Sequence, residues 1–253
     1  MAENGNQIFI VSFGSSEPYL QLSRDLLSRL EHAYPSSRSL LFSKSDLPNH
    51  LSSYGVKFPR GFGYWIWKPF VVSETMKTAS DGDIILYADG RSGASGNKIP
   101  WLEEFIRDTN YDVAADHMTH VEQTWTAGDL LRLFDLVVDG PEGKSGQFAA
   151  SYFALRVSPI TREFVSNWLR TMEDNFSLCR DEPSVSPNSV SFIENRHDQS
   201  VFSLLLKVMQ KRGLTVLQIP MSVKSGDLYR HHSKHPSLLR RIMSRVSGMV
   251  LRS

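Results

Sequence analysis

Hydrophobic positions along this chain follow two patterns, short continuous runs and helical spacing, which take turns along the sequence. Short runs of apolar and β-branched residues predict buried strands at residues 7–13, 39–42, 83–88, 148–157 and 214–219. Apolar residues at helical spacing predict helices at residues 18–32, 68–79, 100–108, 126–136, 159–172 and 198–209. Asp198 is placed to cap the last of these helices. Residues 44–63 and 178–195 have no period and are predicted to lack regular structure.

Strands that alternate with helices predict an α/β layer fold with a mostly parallel sheet. A chain of 253 residues suffices for one such domain, which we assign to residues 1–229, followed by a C-terminal segment at 230–253. Ligands of open α/β sheets bind outside the carboxyl ends of the strands. Candidate contacts are therefore Phe13, Gly14, Asp89, Arg91 and the residues before Asp198.

Charge separates the two segments. Residues 230–253 contain six basic and no acidic residues, whereas residues 1–229 contain 22 basic and 27 acidic ones. The whole chain carries a net charge of +1, so no general field for nucleic acid is expected. With a single cysteine, Cys179, no intramolecular disulfide can form, and a reducing compartment fits. The N-terminus lacks the pattern of a signal peptide and no apolar run is long enough for a membrane span, which predicts a cytoplasmic protein.

The segment RGFGYWIWKPF, residues 60–70, concentrates aromatic rings, glycines and cations. Such a segment fits stacking of a base or a sugar face by Tyr64, Trp65 and Trp67. Arg60 or Lys68 would then meet a phosphate. An aromatic mini-core under a long loop explains the same composition.

Two polar clusters lie at predicted element ends. Asp89 follows the clearest strand, where a carboxylate can hold a divalent cation or a ribose hydroxyl, although Asp89-Gly90 also fits a simple turn. His197, Asp198 and Gln199 precede an apolar helix, and a helix start can fix a general base. Asp198 as a helix cap is the simpler alternative.

Other signals are weaker. Small residues after Gln147 would let a ligand approach the strand at 148–157, which otherwise is a core strand. The pair His231-His232 lacks a second ligand pair at a zinc-type spacing. The chain contains no G-x-G-x-x-G, no G-x-x-x-x-G-K-[ST] and no G-x-S-x-G motif, so a dinucleotide fold, a P-loop and an α/β-hydrolase have no sequence support.

Taken together, RGFGYWIWKP, GDIILYADG, the Gln147 strand and NRHDQSVFSLL resemble a family of small nucleotide-sugar glycosyltransferases with the GT-A fold. Members of this family take part in capsule and surface-polysaccharide synthesis. The resemblance spans about residues 7–220 and implies one α/β domain that binds a nucleoside-diphosphate sugar at the strand ends. The implied reaction is hexosyl transfer to a glycan or lipid-linked acceptor.

The resemblance also implies residue roles. Asp89 matches the first acid of the family's D-x-D motif, but the second position is Arg91, which leaves the need for Mn²⁺ or Mg²⁺ open. Asp198, with His197 and Gln199, matches the acidic motif that faces the acceptor. Gln147 would lie near the transferred sugar, and Lys68 near the donor phosphates. A late histidine, His232, weakly resembles a further metal ligand.

The basic C-terminal segment has two interpretations. Residues 236–253 form an apolar stripe flanked by arginines, as in a helix that binds an anionic membrane surface, here the inner face of the membrane. A terminal helix packed on the domain, or a frayed end, fits equally. For the whole chain, a non-catalytic nucleotide- or carbohydrate-binding domain and a metal-dependent hydrolase stay open beside transfer.

Overall fold

The computed structural model describes residues 6–91 and 97–220. The chain divides into two units, Met1–Pro220 and Met221–Ser253, and the fold below belongs to the first. The predicted segments at 230–253 and 236–253 lie outside the described residues, so the predicted boundary at residue 229 stays a prediction. Within the described ranges, no helix has the length and apolar character that crossing a membrane requires.

Six strands and a series of helices make up this unit. Strands β1 to β6 span Ile8–Gly14, Arg38–Ser43, Ile84–Ala88, Val113–Val121, Gly146–Arg156 and Val216–Pro220. Helices α1 to α10 span Glu17–Ala33, Asn49–Lys57, Gly61–Tyr64, Trp67–Thr78, Pro100–Arg107, Glu122–Trp125, Gly128–Leu133, Pro141–Lys144, Pro159–Asp174 and Asp198–Gln210. Short 3-10 turns occupy Lys44–Asp46 and Phe176–Cys179.

The strands form one sheet in the order β2-β1-β3-β5-β4-β6. Pairs β1–β2, β1–β3 and β4–β6 are parallel, whereas β5 runs antiparallel to both of its neighbours. The predicted α/β class with a mostly parallel sheet is therefore confirmed. Because β5 is reversed, its first residues lie at the same edge of the sheet as the carboxyl ends of β1, β3 and β4.

Helices pack on both faces of the sheet and bury its apolar residues. One face packs against α4, α9 and α10 through side chains such as Val71, Phe164 and Phe202. The other face packs against α1 and α5, with Leu26 and Phe105 fully buried. Two covered faces explain why the strands contain nearly continuous apolar runs.

Most predicted elements are confirmed, one is wrong in extent, and some observed elements match no predicted one. The five predicted strands match β1, β2, β3, β5 and β6, and the predicted helices match α1, α4, α5, α9 and α10. The predicted helix at 126–136 is wrong in extent, because the residues from 122 to 133 form the short helices α6 and α7. Strand β4 and helix α2 were not predicted; α2 buries only Leu51 and Gly55, too few positions to establish a helical period.

Candidate functional site

The carboxyl edge of the sheet brings three charged residues from distant segments together. Asp89 directly follows β3, Lys68 lies in the first turn of α4, and Asp198 is the first residue of α10. The Lys68 ammonium Nζ is 2.7 Å from Asp198 Oδ2 and 3.6 Å from Asp89 Oδ2. Lys68 therefore bridges the two acids that the sequence marked as candidates.

The bridge is almost closed to solvent on one side. Lys68 and Asp198 are 2% and 4% exposed, whereas the Asp89 side chain is 27% exposed and forms the open end. Burial raises the pKa of Asp198 to about 6, against the opposing effect of the Lys68 charge. For Lys68, burial favours the neutral amine, but the charges of Asp198 and Asp89 outweigh it and the pKa is raised. Lys68 is therefore cationic at neutral pH, and Asp198 titrates close to neutrality.

Asp198 does not cap its helix as predicted. The N-cap residue of α10 is His197, and the Asp198 carboxylate instead faces Lys68. Oδ2 of Asp198 is buried 2.7 Å from the ammonium, and no second donor reaches it within the described residues. A buried carboxylate oxygen with spare acceptor capacity can bind a hydroxyl or take up its proton.

Aromatic residues enclose the Lys68 ammonium. Nζ lies 5.9 Å from the ring centre of Trp67 and 5.4 Å from that of Tyr87, within cation–π range. The Tyr87 hydroxyl donates a hydrogen bond to Asp89 Oδ1, so this acid is held on one oxygen by Tyr87 and faces Lys68 with the other. Lys68 thus lies among two carboxylates and two ring faces.

A left-handed turn sets the start of α4. All five residues from Gly61 to Trp65 have positive φ, between 51° and 85°. Each such residue other than glycine costs roughly 1–2 kcal/mol, so the turn needs its two glycines and compensation from packing. A Cβ at Gly61 would lie 2.4 Å from the Trp65 ring. The turn ends at Trp65, and only Ile66 separates it from Trp67, the first residue of α4, so the turn fixes where Lys68 lies.

His197 packs between two rings of that turn. Its ring centre is 4.8 Å from Tyr64 and 5.6 Å from Trp65, the latter in a stacked arrangement. Nδ1 lies 2.7 Å from the carbonyl oxygen of Cys179, and burial lowers the pKa of His197 to about 4. A neutral His197 therefore donates from Nδ1 and carries the lone pair on Nε2. Its own backbone has a φ of 54°, an unusual value that the stacked rings help to hold.

Arg60 lies at the rim of this packing. It forms an ion pair with Asp181 at 2.7 Å and lies 3.8 Å from Glu194. The Tyr64 hydroxyl donates to the other oxygen of Asp181, and His197 Nε2 is 3.6 Å from Asp181. Asp181, which the sequence did not indicate, thus joins the aromatic segment to the start of α10.

Phe13 and Gly14 end β1 beside the same site. The Phe13 ring stacks on Trp67 with a centroid distance of 3.9 Å. Gly14 passes so close to α1 that a Cβ there would lie 2.5 Å from the backbone nitrogen of Leu20. Trp67 is 5% exposed, so its ring packs against protein, as the mini-core interpretation of the aromatic segment expects.

Gln147 and Gln199 connect the site to a second buried cluster. Gln199 Nε2 donates to Gln147 Oε1 at 2.8 Å, and Gln147 Nε2 donates to Glu122 Oε2 at 3.0 Å. Glu122, which follows β4 and is fully buried, also accepts from Lys207 Nζ at 2.7 Å. Thr126 and Ser203 donate to its two oxygens. These contacts fix the amide of Gln147 in one orientation.

Arg91 and His232 do not join the charged centre. The guanidinium of Arg91 is exposed and lies 5.0 Å from the ring centre of Tyr19. His232 falls outside the described residues. In the ranges 6–91 and 97–220, no group of three or more His, Cys, Asp or Glu side chains is arranged to hold a metal ion.

Sequence reasoning missed Glu122, Lys207 and Asp181. Glu122 follows a strand whose period is interrupted by irregularities in its pairing with β5, so the strand end was not recognised. Lys207 lies on the buried face of α10. A lysine in an otherwise apolar helix is a pattern that indicates a buried charged partner. No sequence pattern marks Asp181, because its partners come from segments more than 100 residues earlier in the chain.

No protein-family model matches the chain, and no curated protein matches it. Three solved structures with a similar arrangement come from glycosyltransferases. One, involved in the glycosylation of the major capsid of PBCV-1, is 12% identical, with a TM-score of 0.37 over 66% of this chain and 67% of that one.

The galactosyltransferase LgtC, in complex with donor and acceptor sugar analogues, is 13% identical, with a TM-score of 0.42 over 82% of this chain and 72% of that one. An active-site mutant of LgtC is 12% identical, with a TM-score of 0.45 over 92% and 81%. This likeness is distant, at 12–13% identity.

Proposed function

We propose that the protein is a glycosyltransferase that moves a hexosyl group from a nucleoside-diphosphate sugar to a hydroxyl of a glycan or lipid-linked acceptor. The observation that carries the proposal is the Lys68 ammonium held between Asp89 and Asp198 at the carboxyl edge of the sheet. This edge is where open α/β sheets bind ligands. The three side chains supply the charges that such a transfer needs.

Transfer breaks the bond between the anomeric carbon and the diphosphate oxygen, and the bonding electrons leave with the diphosphate. Lys68 stabilises the charge that develops there. Asp89, the more exposed acid, contacts the ribose of the donor. Tyr87 holds Asp89 in place from below by a hydrogen bond.

The acceptor hydroxyl forms the new bond to the anomeric carbon and must lose its proton. In an inverting reaction Asp198 takes this proton, because its pKa of about 6 keeps it ionised yet basic near neutral pH. Gln199 positions the sugar, and the buried Gln147 holds the Gln199 amide by a hydrogen bond. Neutral His197 holds the start of α10 between the rings of Tyr64 and Trp65.

The test has two parts. A thermal-shift screen of the intact chain against UDP-, GDP-, dTDP- and CMP-sugars is expected to give one clear stabilisation, since a ligand that binds only the folded state raises its stability. With that donor, Asp198→Asn is expected to lower transfer by about 10²–10⁴-fold while the melting temperature holds. Asp25→Asn, on an exposed position of α1, is the matched control and keeps full activity. Wild-type turnover by Asp198→Asn would refute the assignment.

A second candidate is hydrolysis of a glycosidic bond. Asp89 and Asp198 both lie close to the Lys68 ammonium. This arrangement favours hydrolysis, because a pair of carboxylates carries out that reaction. Product analysis separates the two candidates. Free sugar released in the presence of varied acceptors favours hydrolysis, and a new glycoside favours transfer.

The cellular setting that we propose is surface-polysaccharide or capsule synthesis at the cytoplasmic face of a membrane. The support is the basic, apolar-striped sequence of residues 236–253. Deleting these residues is expected to abolish binding to vesicles that contain phosphatidylserine. Unchanged binding would remove the membrane part of the proposal and leave the catalytic part intact.

A further inference from the structure

We infer that Lys68 takes the place of a divalent cation in this site, so that the donor diphosphate binds without Mn²⁺ or Mg²⁺. This inference rests on the proposed function for the identity of the ligand. Its evidence is separate, however, because it concerns only the space between Asp89 and Asp198. The resemblance to enzymes with a D-x-D motif leads one to expect a metal ion at Asp89.

The residues present do not fit such an ion. A divalent cation takes about six or more oxygen ligands at about 2.0–2.6 Å, and at a phosphate site one or two free carboxylates supplement waters and phosphate oxygens. Here Asp89 Oδ1 accepts from the Tyr87 hydroxyl, and Oδ2 faces the Lys68 ammonium at 3.6 Å. Asp198 Oδ2 faces the same ammonium at 2.7 Å. An ion bound by both acids would lie against a buried positive charge.

The ammonium cannot easily move aside. Lys68 is 2% exposed, and the rings of Trp67 and Tyr87 lie within 6 Å of Nζ. Its position on α4 is set by the left-handed turn of residues 61–65. A cation built into the chain in this way needs no recruitment from solution, and it lies 3.6 Å from Asp89, whose side chain is partly exposed.

Arg91 does not take over this function. It occupies the position of the second acid in D-x-D, yet its guanidinium lies over Tyr19 and is exposed. The replacement of the acid by Arg91 therefore removes a metal ligand, whereas the positive charge itself comes from Lys68. The arginine at position 91 and the placement of Lys68, which come from distant segments, point to the same metal-independent chemistry.

The first experiment uses Mn²⁺ alone and needs no nucleotide. Electron paramagnetic resonance of Mn²⁺ titrated with the full chain is expected to give the same free-ion signal for wild type and for Asp89→Asn. Lys68→Met removes the ammonium and leaves both acids, so it is expected to gain Mn²⁺ binding, and the double variant with Asp89→Asn is expected to lose it. Should Lys68→Met not fold, the comparison of wild type with Asp89→Asn still decides the matter.

Stoichiometric Mn²⁺ binding by wild type that disappears in Asp89→Asn would overturn the inference. Binding that persists in Asp89→Asn places the ion elsewhere and supports it. The second experiment measures by calorimetry the affinity of wild type for UDP, GDP, CDP and dTDP, with Mn²⁺ and with EDTA. Equal affinity in both conditions supports the inference, and affinity that EDTA abolishes contradicts it. If no nucleotide binds under either condition, the proposed function fails, while the Mn²⁺ result still tests the inference by itself.

Discussion

Two buried lysine–carboxylate pairs lie at the same edge of the sheet, and they are built differently. In the pair Lys207–Glu122, four donors meet the two carboxylate oxygens, from Lys207, Ser203, Thr126 and Gln147. In the pair Lys68–Asp198, the ammonium lies 2.7 Å from Asp198 Oδ2, and no further donor among the described residues reaches that oxygen.

Their protonation behaviour differs as well. Burial lowers the pKa of Lys207 in spite of Glu122, whereas two carboxylates raise the pKa of Lys68 in spite of burial. A buried pair whose hydrogen bonds are complete holds structure together. One that leaves acceptor capacity unused and has a partly exposed second acid is suited to a ligand. By this criterion we interpret Lys207–Glu122 as a structural pair and Lys68–Asp198 as the candidate ligand site.

The largest effect is expected when the complete pair is broken. Glu122→Gln leaves the Lys207 ammonium buried without a counter-charge and should lower the free energy of unfolding by about 3–5 kcal/mol. Urea titration followed by circular dichroism measures it. The matched control is Glu17→Gln, which breaks the exposed pair with Arg24 and should change stability by less than about 1 kcal/mol. Equal effects of the two variants would show that the Glu122 cluster is not structural.

Changing the turn that positions Lys68 should have the next largest effect. Gly61→Ala combines a φ of +57° with a Cβ placed against the Trp65 ring, so a loss of about 2–4 kcal/mol is expected. Gly213→Ala is its control, because φ there is +102° but the space around the Cβ is open. It should cost only about 1–2 kcal/mol. Transfer should also fall in Gly61→Ala and not in Gly213→Ala.

The open pair should also be visible in the pH dependence of transfer. Below pH 6 Asp198 gains a proton in the folded enzyme and can no longer take one from the acceptor. The rate should therefore fall by about tenfold per pH unit on the acid side of pH 6. His197, whose pKa is about 4, stays neutral over this range and does not produce this limb. A rate that is flat down to pH 5 would contradict the role of Asp198.

The smallest effect is expected for the stability of Asp198→Asn. The substitution removes a carboxylate that burial disfavours, and Asp89 remains to balance Lys68. The free energy of unfolding should change by less than about 1 kcal/mol, in contrast to Glu122→Gln. A loss as large as that of Glu122→Gln would mean that both pairs are structural.

The sequence predicted one pair and missed the other for a physical reason. Asp89 and Asp198 are found because they adjoin elements with clear patterns, β3 and α10, and Lys68 is found because it belongs to the aromatic and cationic segment of residues 60–70. Glu122 follows β4, where irregular pairing between Ala115 and Val121 breaks the alternation of apolar residues. Sequence periodicity therefore locates residues at the ends of regular elements only.

Contacts between distant segments could not be predicted at all. The meeting of Asp181 with Arg60 and Tyr64 depends on how residues 178–195, which lack a period, fold back over the site. Likewise, the run of positive φ from Gly61 to Trp65 is hinted at only by two glycines. The segment was predicted to be irregular up to Gly63, and its regular left-handed form depends on packing against His197 and Phe13.

That left-handed turn also prevents α4 from changing its register. A right-handed helix can lengthen or shorten at its start. A shift of the helical register by one residue moves a side chain by 1.5 Å along the axis and 100° around it. Here the chain reverses its helical sense at Ile66, so residues before Trp67 cannot be added to α4. The change of handedness therefore fixes the first residue of α4. In this way it also fixes the direction in which the Lys68 side chain leaves the helix, toward the two carboxylates.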